Sequence, residues 1–385
     1  MHETANDATA LRTRLVDDLL ADGAVRDPRW ARAFREVDRH AFLPRFFRQL
    51  TDGRWGPVDA DDPDWLPLVY RDRVCVTQLD GDDGAWQRAV DEGAVHGVPT
   101  CSSSMPTIMA IMLEALRVQP GHDVLEIGAG TGYNAALLCH VLGAEHVTTV
   151  DVDPGVLARA RDHLAAVGGE PTCVVGDGEL GCPERAPYDR VLCTCAVSRI
   201  PTAWLTQTKP GGLVVTTLNR SIGAGLVRLV SDGRGGGRGR VLAEDGRFMP
   251  LRAHAHGWAA DVLEIARGAP ADERGRTALD PELVVDPGSP FEFFAGLVLP
   301  DVVVGHGDRH RVHLAHPDGS WARLRTGSPR VEQGGPRRLW QLAERGYRQW
   351  LDLGRPRRDH FAFTVGPEGQ RFHLGDLDWP VCSPG

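Results

Sequence analysis

Apolar positions near the start of the chain recur at helical spacing. Leu11, Leu15, Val16, Leu19 and Leu20 fall on one face, and Gly23 is placed to end that helix. Asp27-Pro28 opens a second helix that carries Trp30, Phe34 and Val37. Residues 48–100 show no such period. They are rich in Asp, Gly and Pro, and only 73–78 reads as a strand. An amphipathic helix is expected over 105–118, stopped by Pro120-Gly121. From there the pattern alternates. Strands are predicted at 123–127, 146–151, 172–176 and 188–195, with helices at 133–142, 154–167 and 201–208, then a strand at 213–218. This alternation predicts a mostly parallel, doubly wound α/β sheet with helices on both faces.

Past residue 218 the pattern changes. The Gly/Arg-rich stretch 233–240 has a linker's composition, yet strand-like runs at 226–230 and 240–243 flank it. A long antiparallel hairpin is the better reading, with a boundary after Pro250-Leu251. Residues 254–385 carry short strand candidates at 302–304, 311–314, 321–324, 360–365 and 370–374. One clear helix, about 336–352, aligns Leu339, Leu342, Tyr347 and Trp350. The expectation is a larger domain over 1–253 and a smaller α+β domain over 254–385. No internal repeat is visible.

Composition narrows the class. No run approaches the roughly 18 apolar residues of a membrane span, and the N-terminus lacks the pattern of a signal peptide. A cytoplasmic protein with no membrane partner is expected. The net charge of −9 argues against a general nucleic-acid binder, which needs a basic surface. Eight cysteines include no C-x-x-C pair and are expected as small core hydrophobes, Cys193 and Cys195 among them. His306, His310, His313 and His316 invite a metal reading. On a strand, however, 310 and 316 share a face while 313 points away, and no carboxylate has ligand-like spacing. No metal is expected.

The strongest chemical signal is Val124-Leu-Glu-Ile-Gly-Ala-Gly-Thr-Gly-Tyr133. A strand runs into Gly128, Gly130 and Gly132, where missing Cβ atoms allow a tight turn and close approach of a ligand. The spacing is G-x-G-x-G, unlike the G-x-G-x-x-G of dinucleotide sites. Glu126 lies where a pyrophosphate would meet negative charge, whereas a cationic ligand tolerates it. S-adenosyl-L-methionine, with its ammonium and sulfonium, fits. Asp151, 19 residues beyond Gly132 at the end of the second strand, suits a ribose diol. Asp177, in Gly176-Asp-Gly178 after the third, falls where an adenine edge would lie, beside Gly178. A plain glycine turn with acids as helix caps would have to match at three successive strand ends.

Further stretches make the likeness specific. They are His40-Ala-Phe-Leu-Pro44, Tyr70-x-Asp72-Arg73, Ser104-x-Pro106 before Ala110-Ile-Met-Leu-Glu114, and Gly176-Asp-Gly-Glu-Leu-Gly-Cys-Pro-Glu184. Ala186-Pro-Tyr-Asp-Arg190, Lys209-Pro-Gly-Gly212 and Phe248-Met-Pro-Leu251 complete the set. Over residues 11–251 the sequence resembles the protein-L-isoaspartate (D-aspartate) O-methyltransferase family. The resemblance implies a Rossmann-like class I methyltransferase fold, S-adenosyl-L-methionine as cofactor and S-adenosyl-L-homocysteine as product. It also implies a carboxyl acceptor on aspartyl or isoaspartyl groups of polypeptides. Ser104 takes the place of the family's motif serine at the acceptor carboxylate, although the same serine also suits the N-cap of the helix at 105–118. Ser103, Pro106 and Tyr133 are expected on the substrate side.

Three features depart from the family, the first being Thr100-Cys-Ser-Ser103 before Ser104 in place of the family's usual Gln-Thr-Ile. The link between the Tyr-x-Asp-Arg segment and Ser104 is stretched by an insert at 79–98, and the chain continues for over 130 residues past 251. Long variants of this kind resemble methyltransferases associated with ribosomally made modified peptides, lanthipeptides and graspetides. There an ordinary Asp is esterified, and the outcome is aspartimide or isoAsp. The expected partner is therefore an Asp-containing, constrained peptide. Across 309–358, 12 Arg stand against 4 acids, a basic region suited to recognising an acidic peptide. General isoaspartate repair, a small-molecule methyltransferase with a pocket reshaped by the insert, and a non-catalytic S-adenosyl-L-methionine-binding scaffold are the competing readings.

Overall fold

Trp30, Phe34 and their neighbours need a partner surface, and the N-terminal helices His2–Ala21 and Pro28–Glu36 supply one to each other. Asp27 caps the second helix by accepting from Arg29 N, with Pro28 at its first position. The computed structural model describes residues 2–255, 259–307 and 310–381, with side chains from Asp7 onward. The chain divides into two compact units, 1–195 with 201–216 and 231–234, and 196–200 with 217–230 and 235–385.

In the first unit, residues 45–103 build a four-stranded antiparallel sheet in the order Trp55–Asp59, Arg45–Gln49, Cys75–Leu79, Pro99–Ser103. The insert is ordered. Its helix Ala85–Glu92 packs Ala85 and Ala89 onto Phe47, Val76 and Leu79 of that sheet. The helix expected over 105–118 runs Pro106–Leu116.

The alternating region forms the parallel strands, in the order Tyr188–Val197, Val124–Ile127, Val147–Asp151, Thr172–Val175. Thr208–Leu218 lies outside Tyr188–Val197. All four residues of Val124–Ile127 are buried, as a central parallel strand requires. Helices Tyr133–Leu142 and Pro154–Ala166 make the crossovers. This is the Rossmann-like class I methyltransferase arrangement.

In the second unit, Gly237–Val241 pairs antiparallel with Ala362–Gly366, which pairs with Gly369–Leu374, which pairs with Leu377–Pro380. The hairpin strand begins inside the Gly/Arg stretch rather than at 240. A separate five-stranded antiparallel sheet runs Glu273–Arg276, Arg330–Gly334, Trp321–Arg325, Arg311–Ala315, Val303–Gly307. The expected C-terminal helix is Leu339–Asp352, but its buried stripe is Leu339, Trp340, Ala343, Gly346 and Trp350. Leu342 and Tyr347 are only half-buried. Gly346 explains the rotation, because a Cβ there would stand 2.5 Å from Val298, so the helix Glu292–Val298 can approach closely on that side. Glu292 is fully buried and accepts from Gly223 N at 2.6 Å and Arg247 Nη2 at 2.7 Å. No helix among the described residues is long and apolar enough to cross a membrane.

Candidate active site

The glycine loop is held at three points. Gly128 N donates to Val150 O at 2.8 Å, Gly130 N donates to Asp151 Oδ2 at 3.1 Å, and Gly132 N donates to Ala129 O at 2.9 Å. All three glycines have left-handed φ, +92°, +55° and +88°. At Gly128 the need for glycine is also steric, because a Cβ would stand 2.8 Å from both Thr194 Oγ1 and Cys195 Sγ. At Gly130 an added carbon would lie 3.3 Å from the Ser102 carbonyl, so the strand Pro99–Ser103 passes directly over the loop.

The three predicted acids take different positions. Glu126 is sealed from solvent, with Asn134 Nδ2 and Thr149 Oγ1 each donating to it at 2.6 Å. Burial pushes its carboxyl up to about 7, against the pull of those two donors. Asp151 is half-buried at its strand end, accepting from Gly130 N through Oδ2 and from Asp153 N through Oδ1. Asp177 is exposed and accepts from Glu179 N, opening the short turn Gly178–Leu180. Gly178 is buried, its carbonyl receiving Trp204 Nε1 at 2.8 Å.

One signal was not read from the sequence. Val152, Val175 and Leu180 are 40%, 50% and 63% exposed, next to or near Asp151 and Asp177. Val175 is the direct strand partner of Asp151. Large apolar side chains left bare beside two carboxylates that follow parallel strands suit contact with a ligand. Alternation alone could not separate them from core residues.

Ser104 is fastened from below. Arg39, fully buried, donates to Ser104 O at 3.0 Å, Arg73 O at 3.1 Å, Val69 O at 2.6 Å and Arg71 O at 3.2 Å. One guanidinium thus ties the Tyr70-x-Asp72-Arg73 segment to the serine. His40 Nδ1 lies 2.8 Å from the Tyr70 hydroxyl. Ser104 does not cap the following helix. The N-cap is Met105, which makes no side-chain cap bond. Asp72 does that work from a distance, accepting from Thr107 N at 2.8 Å and Thr107 Oγ1 at 2.7 Å. The Ser104 hydroxyl is left unengaged by the helix.

The remaining predicted residues are more enclosed. Ser103 is buried, paired across the sheet with Cys75, and its hydroxyl has no hydrogen-bond partner. Pro106 is buried at the helix start. Tyr133 is 2% exposed, its ring packed against Phe34 and Phe42 at centroid distances of 6.3 and 5.6 Å. The insert reaches the helix Pro154–Ala166, with Asp83 Oδ1 3.0 Å from Arg159 Nη1. A cavity of about 60 Å3 between them is lined by Asp83, Trp86, Arg159, Gly130 and Thr131, among others. The seven described cysteines are free, and Cys382 lies outside the described residues. Among the described residues no group of three His, Cys, Asp or Glu is placed to hold a metal ion.

These residues fit an adenosyl ligand with a cationic centre. The bare loop backbone, the carboxylate of Asp151, the exposed Asp177 and the apolar Val175 and Leu180 converge on one end of the parallel strands.

Comparison with known proteins agrees. Residues 90–253 match the family model for protein-L-isoaspartate(D-aspartate) O-methyltransferase (PCMT). A protein-L-isoaspartate O-methyltransferase of Methanoregula boonei is 34% identical over 248 residues, 64% of this chain and 94% of its own. Protein-L-isoaspartate O-methyltransferase 1 of Rhodopseudomonas palustris is 33% identical over 275 residues, 70% and 95% of the two chains. The one from Ignicoccus hospitalis is 32% identical over 214 residues, 55% and 83%. A solved protein-L-isoaspartate O-methyltransferase superimposes with a TM-score of 0.53 over 94% of this chain and 99% of its own, at 23% identity. That last likeness speaks to the fold alone.

Proposed function

The chain belongs to the protein-L-isoaspartate O-methyltransferase family, and from that premise we propose that it esterifies an Asp side chain in a constrained, ribosomally made peptide. The family is S-adenosyl-L-methionine-dependent, and that cofactor supplies an electrophilic methyl group on a positively charged sulfur. The acceptor carboxylate is already ionised near neutral pH, so no strong base is required of the protein. What remains is to orient it in line and keep water away. The loop of Gly128, Gly130 and Gly132 presents bare backbone to the cofactor. Asp151 takes the ribose hydroxyls, Asp177 the adenine edge beside Gly178, and Val175 and Leu180 the flat face of the base. Glu126 holds the loop through Asn134 and Thr149. Ser104 donates its hydroxyl to the acceptor carboxylate, with Ser103, Pro106 and Tyr133 supporting that wall.

The ester then reacts within the peptide. The next backbone amide nitrogen attacks the ester carbonyl, loses its proton, and methanol leaves, giving aspartimide that hydrolyses to Asp or isoAsp. Residues 1–253 are proposed to carry the chemistry, and 254–385 with the insert 79–98 to select the peptide.

The observation that carries the carboxyl-transfer part of this reading is the position of Ser104, clamped by Arg39 at the end of a strand that crosses Gly130, and the choice of peptide rests on the resemblance of the long variant. A second reading, general isoaspartate repair, is favoured by the relatives of Methanoregula boonei and Rhodopseudomonas palustris, protein-L-isoaspartate O-methyltransferases 34% and 33% identical to this chain. The discriminating assay incubates the protein and S-adenosyl-L-methionine with either short linear isoAsp peptides or a cyclised Asp peptide. Methyl ester and a subsequent mass loss of methanol on the cyclised peptide support the first reading. Turnover confined to linear isoAsp peptides establishes the second. Ser104→Ala is expected to lower kcat/KM by about a hundredfold if its hydroxyl orients the acceptor. No transfer to any carboxyl substrate would leave only a cofactor-binding scaffold.

A further inference from the structure

We infer that the five-stranded sheet of the second unit bears an arginine-lined cleft that binds an acidic segment of polypeptide. The inference deepens the peptide reading above and rests on it only for the identity of the occupant.

The strand register builds the cleft. Arg276 lies directly opposite Arg330, and Arg311 directly opposite Arg325. Arg325 and Arg330 end and begin adjacent strands, so these residues form one row across four strands. All four are exposed, and among the described residues none has a carboxylate partner. Like charges set directly opposite each other on a sheet are destabilising. A row of four is therefore a standing cost to the fold, relieved when an anion lies along it.

The next row on the same face, two residues along each strand, behaves differently. Glu332 faces both Arg274 and Arg323, with 3.0 Å ion pairs to each. Arg323 also lies over the Trp321 ring at 4.3 Å and faces His313 across the next strand pair. This row carries its own counter-charge in Glu332. It forms a floor and leaves the unpaired row as the part that needs a ligand. Even so, Arg323 Nε and His313 Nδ1 are buried there without hydrogen-bond partners.

The cleft has a volume of about 770 Å3, and seven of its thirteen lining residues are arginine against one acid, Glu332. Guanidinium pairs carboxylate and phosphate alike in bidentate fashion. Two observations favour carboxylates on a peptide over a nucleic acid. No Phe, Tyr or Trp lines the cleft to stack a base, and the one ring there, His313, is 5% exposed. The chain as a whole carries −9, which opposes a long polyphosphate. With strands about 4.8 Å apart the row spans roughly 14 Å, the reach of about five extended residues.

The test uses the full chain and a dye-labelled hexaglutamate peptide, followed by fluorescence anisotropy at low and moderate salt. Binding is expected, weakening with salt, and the double variant Arg325→Gln/Arg330→Gln should raise Kd by at least about tenfold. Arg311→Gln should act in the same direction. Because these side chains are exposed and their mutual repulsion is removed, circular dichroism should show melting at the wild-type temperature or slightly above it. With methyl transfer as a second readout, the double variant should raise KM for an acidic acceptor peptide while leaving kcat, and KM for a neutral one, unchanged. Unchanged Kd and KM in the variants would overturn the inference. Tighter variant-sensitive binding of a single-stranded oligonucleotide than of hexaglutamate would overturn it in favour of nucleic acid, and equal competition by inorganic phosphate would reduce the cleft to a general anion site. Hexaglutamate binding through the arginines in a chain that methylates nothing would instead refute the proposed function and leave the cleft standing.

Discussion

Glu126 sits with its carboxyl in a closed compartment and an ordinary titration range far below the value it holds there. Its shift from 4.5 to about 7 corresponds to about 3 kcal/mol between the two protonation states. Because the folded value is the higher one, the native protein binds more protons than the unfolded chain between those limits. Stability from this group is therefore greatest at acid pH and falls as pH rises through about 5 to 7. Urea unfolding at intervals from pH 5 to 8 should show that slope in the wild type and a flatter one in Glu126→Gln. Parallel profiles would refute it. Gly128 offers a second residue-scale test. With φ at +92° and Thr194 and Cys195 2.8 Å from where a methyl would sit, Gly128→Ala should cost about 1–3 kcal/mol. It should also weaken S-adenosyl-L-homocysteine binding by at least about tenfold, since the loop backbone would have to move. Isothermal titration calorimetry reads both the loss and the enthalpy change. The glycines and acids were legible in the sequence because each sits at a strand end in a strict order. The engagement of Glu126 was not, since its donors are 8 and 23 residues away and belong to two other elements.

At the level of elements, the parallel strands and their helices followed from the alternation of short apolar runs with amphipathic ones. The four-stranded sheet over 45–103 did not. Pro57 and Gly56 interrupt one strand, and Pro99 opens another. In this sheet a helix from the insert, rather than a continuous apolar run, covers one side. Glu273–Arg276 is wholly polar in sequence, Glu-Arg-Gly-Arg, and is a strand only because Arg330–Gly334 pairs with it. The cap on Pro106–Leu116 was hidden for a related reason, because the capping carboxylate, Asp72, is 35 residues from Thr107. Losing such a cap costs about 1 kcal/mol. Asp72→Ala is thus expected to lower Tm by a few degrees and to reduce kcat/KM for the acceptor while S-adenosyl-L-homocysteine affinity holds. Differential scanning calorimetry and steady-state rates check the pair, and a fall in cofactor affinity instead would show that the helix start serves the cofactor. By contrast, the exposed Asp83–Arg159 pair, 3.0 Å apart, should contribute well under about 1 kcal/mol. Asp83→Ala should leave melting unchanged and alter only acceptor KM, if the insert shapes that side.

For the molecule as a whole, the length beyond 253 is not a simple appendix. Gly237–Val241 pairs with Ala362–Gly366, and Phe363 and Phe372 pack there at 4.8 Å. A fragment ending at residue 253 keeps the first of these strands and loses its partner, along with the aromatic side chains that cover it. It is expected to lose near-UV circular dichroism and to aggregate, which size-exclusion chromatography and spectroscopy will show. A monomeric fragment with intact methyl transfer would refute this.

That strand pairing has a consequence during synthesis. Val241 leaves the ribosome about 120 residues before Ala362, so at some 5–20 residues per second the strand waits roughly 6–24 s for its neighbour. Through that interval its backbone edge is open to any other extended chain nearby. Slow codons or a pause between residues 241 and 362 should therefore lower the soluble yield without changing a single amino acid, and a chaperone that shields nascent strands should restore it.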